Sequence, residues 1–460
     1  MTLTQKFKSN LKDKHFGEVL KGSIFSFIAR GSAGLIALTI QVLVIRLYGT
    51  DILGITELIN SFLMVAIIIP LLGTNVSILR FIPEYTAKGH SEVAFRIYRR
   101  LLYFVITSSI FFILIVTLNS NFVAEVIFKK PQYTIFFLVA GFFIPFRVLY
   151  EYTLSVTRGF KLIKTFALFQ ALPLFCNLLV LGLLTIFYYH GFNPIYALFS
   201  GFFLASVAGI YVSELRFRSL SHNKNPQSTS SDSPIAYEPS AIPPLKNLLM
   251  VSTPMFLITA MGYINNQIGV LLLGGMKSER EIAYYAVAAK LATLIHFVLQ
   301  AINSMIAPKF AELYHSGMMK ELKRVIHKST KLIFYSTAPI LTGLLIFGRL
   351  VLKIFYGEEF IIAYTPLLIL IVGQFVNTIS GSVGYFLTMT GNEKTVSLII
   401  SASSLINIIT AYLLIPLYGI NGAAIASSLC LIIWNLLMVV VIRLRYGIMF
   451  IYMPKAIHVR

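Results

Sequence analysis

Charged residues are scarce in this 460-residue chain: Asp, Glu, Lys and Arg make up 12% of it, whereas hydrophobic residues make up 57%. A soluble domain carries about 25% charged residues, because its surface faces water. So little charge excludes a soluble globular protein. Most of the surface must therefore face lipid, which predicts an integral membrane protein.

Cysteine is also scarce. Cys176 and Cys430 stand in apolar runs far apart in the sequence, with no disulfide or metal-ligand spacing around them. The chain also lacks a phosphate-binding glycine loop and a histidine-rich metal motif. The sequence therefore predicts no cofactor and no metal site.

Acidic residues number 18 against 38 Lys and Arg, which gives a formal net charge of +20. In a soluble protein such an excess would indicate nucleic-acid binding. In a membrane protein, basic residues instead mark the cytoplasmic side of the membrane. No nucleic-acid partner is therefore expected.

Long hydrophobic runs dominate the rest of the chain. A helix needs about 20 apolar residues to cross the hydrocarbon core of a bilayer. Twelve runs are long enough, and the longest allow for tilt or a broken turn. They lie at about residues 23–47, 52–79, 100–118, 133–157, 165–188, 194–215, 247–274, 282–306, 331–352, 360–390, 395–416 and 421–442.

A polar gap divides the twelve runs into two sets of six. It contains NKNPQSTSSDSP and PSAIPP, a composition too polar to form a packed core. The sequence predicts five parts: a cytoplasmic or interfacial segment 1–22, a six-helix bundle 23–216, a flexible cytoplasmic linker 217–246, a second six-helix bundle 247–442, and a cytoplasmic tail 443–460.

The basic residues predict the orientation of the chain. With the N-terminus in the cytoplasm, 28 of the 38 Lys and Arg fall in cytoplasmic segments and seven in outer loops. This bias predicts a multi-pass protein of the cytoplasmic (inner) membrane with both termini inside. The remaining three, Arg30, Arg147 and Lys290, lie within the predicted spans.

The two halves repeat at a nearly constant offset. Pairs of identical residues 226 to 230 positions apart run through both halves; they include Gln41 and Gln267, Asn75 and Asn303, Glu84 and Glu312, Asn177 and Asn407, and Ser200 and Ser428. Because each half has an even number of spans, the halves are predicted to be parallel repeats. Transporters use such repeats to form a central cleft, which favours a transporter over a receptor or scaffold.

Three segments resemble the polysaccharide-biosynthesis flippases of the MOP superfamily, that is the Wzx-type O-antigen flippases, with the lipid II flippase and the MATE exporters more distant. The segments are GSIFSFIARGSAGLIALTIQVLVIRLYG, LRFIPEYTAKGH and IPLYGINGAAIASSL. The resemblance implies a MATE-like, all-α fold with two six-helix bundles around a cationic cavity. It also implies transport of a polyprenyl-diphosphate-linked oligosaccharide, a surface polysaccharide repeat unit, to the outer leaflet by alternating access.

The three basic residues within the spans are the predicted diphosphate-binding residues. A charged side chain at mid-membrane costs about 2.5–3.5 kcal/mol or more, so it persists where it faces a wet cavity or a partner. We expect Arg30 and Arg147 to receive the diphosphate near the inner side, because a guanidinium binds phosphate oxygens bidentately. Lys290, closer to the outer side, would pass it on.

A structural role is the alternative for each of these residues. Arg147 and Glu151 are four residues apart, hence on one helix face, and could neutralise each other. Lys290 could extend its apolar stem toward the interface. Glu57 and Glu151 are the candidate ion-coupling residues, and shallow exposure is the alternative for Glu57.

Polar side chains interrupt the seventh span at Asn265, Asn266 and Gln267. Sugar hydroxyls need such donors and acceptors, so we consider these residues candidates for sugar binding. Hydrogen bonding between membrane helices needs the same residue types and is the alternative.

Three further functions compete with flipping of a lipid-linked sugar. A membrane glycan polymerase or ligase needs a sizeable outer loop or a carboxylate cluster, and the loop near 119–132 has one acid, Glu125. We therefore predict that the chain is not an enzyme. A MATE-like ion-coupled multidrug antiporter and a scaffold for glycan assembly stay open. Expected partners are the lipid-linked oligosaccharide, membrane lipids and proteins of polysaccharide assembly.

Overall fold

The computed structural model describes residues 14–87, 89–160, 162–222, 244–250 and 253–451. The first 13 residues of the predicted interfacial segment, most of the predicted linker and the last nine residues of the tail lie outside this part of the chain.

Twelve helices in the described residues are long and apolar enough to cross a membrane, which confirms the predicted number. They are α1 (Lys14–Tyr48), α2 (Thr50–Ala66), α3 (Ser91–Leu118), α4 (Thr134–Gly159), α5 (Ile163–Phe187), α6 (Asn193–His222), α7 (Thr253–Met276), α8 (Glu279–His315), α9 (Met319–Val351), α10 (Tyr364–Ser380), α11 (Glu393–Tyr418) and α12 (Ile420–Tyr446).

Shorter elements connect the long helices. The α-helical ones are Ile68–Leu71, Thr74–Ala87, Ser120–Phe122, Leu245–Met250 and Val383–Met389. Two π-helical turns, Val123–Ile127 and Leu352–Tyr356, and two 3₁₀ turns, Pro131–Tyr133 and Glu358–Ala363, lie at the predicted outer ends of spans. The π turn that follows α9 ends at Tyr356.

Two predicted spans are broken. The run 52–79 contains α2 and the helix Ile68–Leu71, and then turns at Leu72 and Gly73, whose φ angles are 39° and 81°. The run 360–390 breaks at Gly381, with a φ angle of 66°. These left-handed conformations end a helix, and a count of apolar residues does not detect them.

The contacts divide the chain into two compact units. Unit 1 comprises Met1–Ser61 and Leu257–Arg460, and unit 2 comprises Phe62–Phe256. Unit 1 thus joins α1 and most of α2 to the C-terminal helices, whereas the sequence assigns them to the N-terminal bundle. The division into bundles 23–216 and 247–442 stays a prediction.

Each unit has its own apolar core. In unit 1 a buried cluster between α8, α9, α11 and α12 includes Phe310, Phe386 and Phe450. In unit 2, Tyr98 and Tyr152 stack with ring centroids 5.9 Å apart, and the Tyr152 hydroxyl donates to the Tyr98 carbonyl oxygen at 2.7 Å. Many other large apolar side chains are exposed on the helices, as expected of surfaces that face lipid.

Glycines let helices of unit 1 approach closely. A Cβ atom at Gly54 in α2 would overlap the backbone carbonyl of Glu279 at the start of α8, and one at Gly34 in α1 would overlap the ring of Phe297 in α8. Small residues at helix contacts are typical of membrane proteins. The Gly34 contact packs α1 against α8, and the Gly54 contact packs α2 against the start of α8.

Candidate functional site

Lys290 is a cation within a membrane-spanning helix. It lies in α8, eleven residues from the helix start at Glu279, which is about 16 Å along the axis. Its side chain is half-buried and makes no hydrogen bond or ion pair with the residues that the structure describes. An unpaired ammonium at this depth is costly unless water or a ligand compensates it.

Arg30 lies in the neighbouring helix α1, and its side chain is outside the described ones. Gly34 contacts Phe297, and Gly54, just past the end of α1, contacts the start of α8, so α1 and α8 run antiparallel. We take the contact between Gly34 and Phe297 as a common level on the two helix axes. The Arg30 backbone lies about 6 Å from this level toward the predicted inner side, and the Lys290 backbone lies about 10 Å from it toward the predicted outer side. The two cations lie on adjacent helices at levels about 16 Å apart.

Arg147 is enclosed by unit 2. It is 4% exposed, and its Nη2 atom lies 3.1 Å from Oε1 of Glu151. The guanidinium also lies 4.1 Å from the centroid of the Phe202 ring and 5.3 Å from that of Tyr150. The internal ion pair that the i, i+4 spacing allows is thus formed, and diphosphate binding by Arg147 stays a prediction.

One nitrogen atom of the Arg147 guanidinium, Nε, lacks a hydrogen-bond partner in the described part of the chain. This atom is buried, whereas Nη2 also lies 3.5 Å from Sδ of Met64. The pair with Glu151 therefore does not use all the donors of this arginine.

The polar residues of α7 have different surroundings. Asn265 donates to Ser404 Oγ at 2.8 Å and accepts from Asn407 Nδ2 at 3.2 Å. Gln267 accepts from Ser61 Oγ at 2.8 Å. Hydrogen bonding between helices thus occupies Asn265 and Gln267. Asn266, by contrast, is exposed and has no partner in the part of the chain that the structure describes.

The two acidic residues within the spans, Glu57 and Glu151, differ in whether a basic side chain lies beside them. Glu151 has a basic partner, Arg147, whereas Glu57 has none among the described residues. Glu57 accepts one hydrogen bond, from Nε2 of Gln41 at 2.7 Å. The sequence singles out both acids but does not indicate which one lacks a counter-charge.

A polar network at the predicted outer ends of the unit 1 helices was not predicted from the sequence. Arg280 Nε lies 3.2 Å from Oδ1 of Asp51, and Arg46 donates to the carbonyl oxygen of Ile354 at 2.8 Å. The Thr50 hydroxyl donates to Glu359. Charged residues just outside the apolar runs are the only sequence signal for this network, and they resemble ordinary interfacial residues.

No group of three or more His, Cys, Asp or Glu side chains could hold a metal ion in the described part of the chain. The two cysteines, Cys176 and Cys430, are free thiols.

Sequence comparison finds similarity to proteins whose names refer to polysaccharide or glycan assembly. A family model described as "Polysaccharide biosynthesis protein" matches residues 227–364. A putative O-antigen transporter of Shigella flexneri is 27% identical over 168 residues, which are 36% of this chain and 40% of that protein. A probable low-salt glycan biosynthesis flippase of Haloferax volcanii is 24% identical over 168 residues, which are 36% of each chain. The matches thus span two fifths or less of these relatives.

Structural comparison covers nearly the whole chain. An inward-facing multidrug-resistance MATE transporter of the MOP superfamily superposes with a TM-score of 0.70, over 92% of this chain and 98% of the other, at 14% sequence identity. The chain has the fold of the MOP superfamily. The predicted all-α, MATE-like fold is therefore confirmed, and so is the resemblance to polysaccharide-biosynthesis members of the MOP superfamily. At 14% identity the structural likeness shows the MOP fold alone.

Proposed function

We propose that this chain is a transporter that flips a polyprenyl-diphosphate-linked oligosaccharide, a surface polysaccharide repeat unit, from the cytoplasmic to the outer leaflet by alternating access. The observation that carries the proposal is Lys290, a half-buried ammonium in a membrane span without a partner among the described residues. A diphosphate group supplies the negative charge that such a site lacks.

The sequence relatives support the same substrate class. They are named as an O-antigen transporter and a glycan biosynthesis flippase, and the family model is that of a polysaccharide biosynthesis protein. Neither relative is named as an enzyme. We infer that the chain transports its substrate and does not modify it.

Arg30 and Lys290 define the proposed path of the diphosphate. Arg30, nearer the predicted inner side, receives the head group, and Lys290, about 16 Å further along the helix axes, takes it over. An inside-negative potential favours outward movement of an anion by about 2.3 kcal/mol per charge per 100 mV. The chain therefore needs no nucleotide as an energy source.

Arg147 is the weakest of the three proposed diphosphate ligands, because Glu151 and the Phe202 ring already surround it. For it to bind substrate, a phosphate oxygen must displace Glu151. Asn266, the exposed member of the α7 amides, is the best placed of the three for sugar hydroxyls, while Asn265 and Gln267 would have to exchange existing hydrogen bonds.

The proposed location is the cytoplasmic (inner) membrane, with both termini in the cytoplasm. The 307–331 segment, which comprises the end of α8, the turn 316–318 and the start of α9, carries six Lys and Arg, which agrees with a cytoplasmic position. Proteins of polysaccharide assembly are the proposed partners on either side of the membrane, because a flippase connects synthesis of the repeat unit to its polymerisation.

The experiment that tests this function is a flipping assay in liposomes. The full chain is reconstituted with a fluorescent polyprenyl-diphosphate oligosaccharide, and a membrane-impermeant quencher reports how much of the lipid has changed leaflets. We expect transfer that depends on the protein. The matched control is the same lipid with a neutral head group, for which we expect no transfer.

A parallel arm tests the drug antiporter. If the reconstituted protein moves a cationic dye against a pH or sodium gradient and leaves the lipid-linked oligosaccharide in place, the proposed function is overturned in favour of the antiporter. A scaffold role is favoured if the protein moves neither substrate, provided that a known transporter is active in the same liposome preparation.

A further inference from the structure

The first turns of α9 are strongly basic. Residues 319–331 contain five Lys and Arg and a single acidic residue, Glu321. The basic residues are Lys320, Lys323, Arg324, Lys328 and Lys331. This segment therefore carries an excess of four positive charges along about 16 Å of the helix axis.

The fold holds these basic side chains on the outer face of an amphipathic helix. The most exposed residues of the segment include Lys320, Lys323, Arg324 and His327. The opposite face packs into the apolar core of unit 1 through Leu322, Val325 and Ile326. Because the core anchors one face, the charged face has a fixed direction and is not a freely moving tail.

The spacing of the basic residues makes them repel one another. Lys320 and Lys328 each lie four residues from Arg324, and like charges at this spacing destabilise a helix. The first turn of a helix also disfavours positive charge, because its unpaired backbone N–H groups point outward. Glu321 offsets part of the charge, since its Oε2 atom lies 3.6 Å from Nη1 of Arg324. Anions outside the protein must compensate the rest.

The order of side chains along α9 predicts where these turns lie in a bilayer. The 33 residues of α9 extend about 50 Å, whereas the hydrocarbon core is about 30 Å thick. Ile346 and Phe347 are exposed in the far half of the helix, as expected of a lipid-facing surface. Tyr335 is exposed between them and the basic segment, and tyrosine is enriched where hydrocarbon meets the head groups. The basic turns are thus predicted at the level of the lipid phosphates and just beyond it.

The third span of the other half, α3, carries basic residues at corresponding positions. Arg96 is 228 positions before Arg324, which is the offset of the internal repeat, and it is exposed. It pairs with Glu92, and the neighbouring Arg99 pairs with Glu214 at 3.4 Å. Two acidic partners thus reduce the basic character of α3, and α9 keeps the larger excess of positive charge.

The chemistry and the position of this face select an anionic lipid head group. Clusters of four to eight Lys and Arg directly beside a membrane span attract anionic lipids. A guanidinium binds phosphate oxygens bidentately, and an ammonium acts as a point charge for the same group. Lipid head groups already occupy this level of the bilayer, whereas a soluble acidic partner would have to displace them.

We propose that the basic face of α9, formed by Lys320, Lys323, Arg324, Lys328 and Lys331, binds anionic phospholipids of the leaflet around it. Each basic residue near the surface strengthens the attraction about fivefold, the equivalent of about 1 kcal/mol. Bound head groups neutralise the charges that repel one another along the helix. This binding does not depend on which substrate the chain transports.

A fluorophore beside the basic face reports which lipid occupies it. It is attached at Ser336→Cys, an exposed position, in a full chain without Cys176 and Cys430. This parent protein is reconstituted in phosphatidylcholine liposomes that contain a small fraction of spin-labelled phosphatidylglycerol or of spin-labelled phosphatidylcholine. Quenching gives the relative association of the two lipids, and we expect a preference of about tenfold or more for phosphatidylglycerol. Salt at about 1 M should remove most of it, because exposed charges are then screened within about 3 Å.

Lys323→Gln combined with Arg324→Gln should lower the preference about fivefold or more, because two of the five basic residues are lost. The matched control is Lys394→Gln combined with Arg443→Gln. It removes the same charge from exposed residues of α11 and α12, outside the basic face, and should leave the preference unchanged.

Equal quenching of the parent protein by the two lipids would overturn the proposal. So would a folded Lys323→Gln, Arg324→Gln variant that keeps the preference of the parent, or a control variant that loses it to the same extent. The flipping assay is independent of these results. A protein that prefers phosphatidylglycerol here but moves no lipid-linked oligosaccharide would overturn the proposed function and leave the lipid-binding face standing.

Discussion

At the residue scale, the structure separates charged residues that look alike in the sequence. Lys290 and Arg147 both interrupt apolar runs, yet Lys290 has no partner among the described residues whereas Arg147 has Glu151 and two aromatic rings. The i, i+4 spacing of Arg147 and Glu151 allowed their pairing as the alternative to diphosphate binding, and the structure contains this ion pair. The isolation of Glu57 was not predictable, because the sequence does not indicate which side chains of other helices lie beside it; Gln41 of α1 contacts it.

Glu151→Gln should destabilise the protein. The substitution leaves the Arg147 guanidinium buried and without its carboxylate, and removal of one partner from a buried ion pair costs about 3–5 kcal/mol. Thermal unfolding of the purified protein in detergent should show a clear fall in Tm.

The control for this prediction replaces both partners. Arg147→Met combined with Glu151→Gln leaves no unpaired charge, so it should recover a large part of the lost stability. If Glu151→Gln alone is as stable as the native protein, the ion pair contributes nothing to stability, and Arg147 is available to bind a ligand.

At the element scale, apolar periodicity predicted where helices exist but not where they break. The turns at Leu72–Gly73 and Gly381 depend on left-handed backbone conformations, and glycine alone is a weak signal among 29 glycines. The close helix contacts could not be predicted from the sequence either. Gly54 contacts another helix and Gly31 does not, but nothing in the sequence distinguishes the two glycines. The π turn that ends at Tyr356 has no sequence signature either.

Gly54→Ala should destabilise unit 1. A methyl group at this position overlaps the Glu279 carbonyl, and the backbone of α8 cannot move aside as a side chain would. Overpacking of this kind costs about 1–3 kcal/mol, which thermal unfolding in detergent would detect.

Gly31→Ala is the matched control, because a Cβ atom at Gly31 has open space around it. Within a helix, alanine is more stable than glycine by about 0.5–1 kcal/mol, so this variant should be as stable as the native protein or slightly more so. Equal Tm values for the two variants would contradict the close contact between α2 and α8.

Ser278→Ala should loosen the start of α8. Ser278 and Glu281 form a capping box, in which each side chain accepts from the backbone N–H of the other residue. Loss of such an N-cap costs about 0.5–2 kcal/mol. Hydrogen exchange should increase at the first turn of α8, whereas unchanged exchange there would show that the cap is dispensable.

At the scale of the whole molecule, hydropathy was sufficient for the number of helices, and the soft family motifs were sufficient for the MOP fold. The number of helices follows from local composition, which the bilayer constrains strongly, whereas the fold was implied by the resemblance to a family. The grouping of α1 and most of α2 with the C-terminal helices was not predictable, because it depends on contacts between residues more than 200 positions apart.

The orientation predicted from basic residues can be tested by labelling. In a variant without Cys176 and Cys430, new cysteines are introduced at Asn119, in a predicted outer loop, and at Ser316, in a predicted inner loop; both positions are exposed. A membrane-impermeant maleimide applied to intact cells should label Asn119→Cys directly and Ser316→Cys only after permeabilisation. The reverse pattern would invert the topology.

The most direct measurement is the flipping rate of Lys290 variants with the polyprenyl-diphosphate oligosaccharide in liposomes. Lys290→Met should slow flipping about tenfold or more, because a charge-assisted contact to phosphate is lost, whereas Lys290→Arg should retain most of the rate. Lys277→Met, which removes a basic residue from the loop before α8, should behave as the native protein. Native-like flipping by folded Lys290→Met would contradict the proposed role of the unpaired lysine.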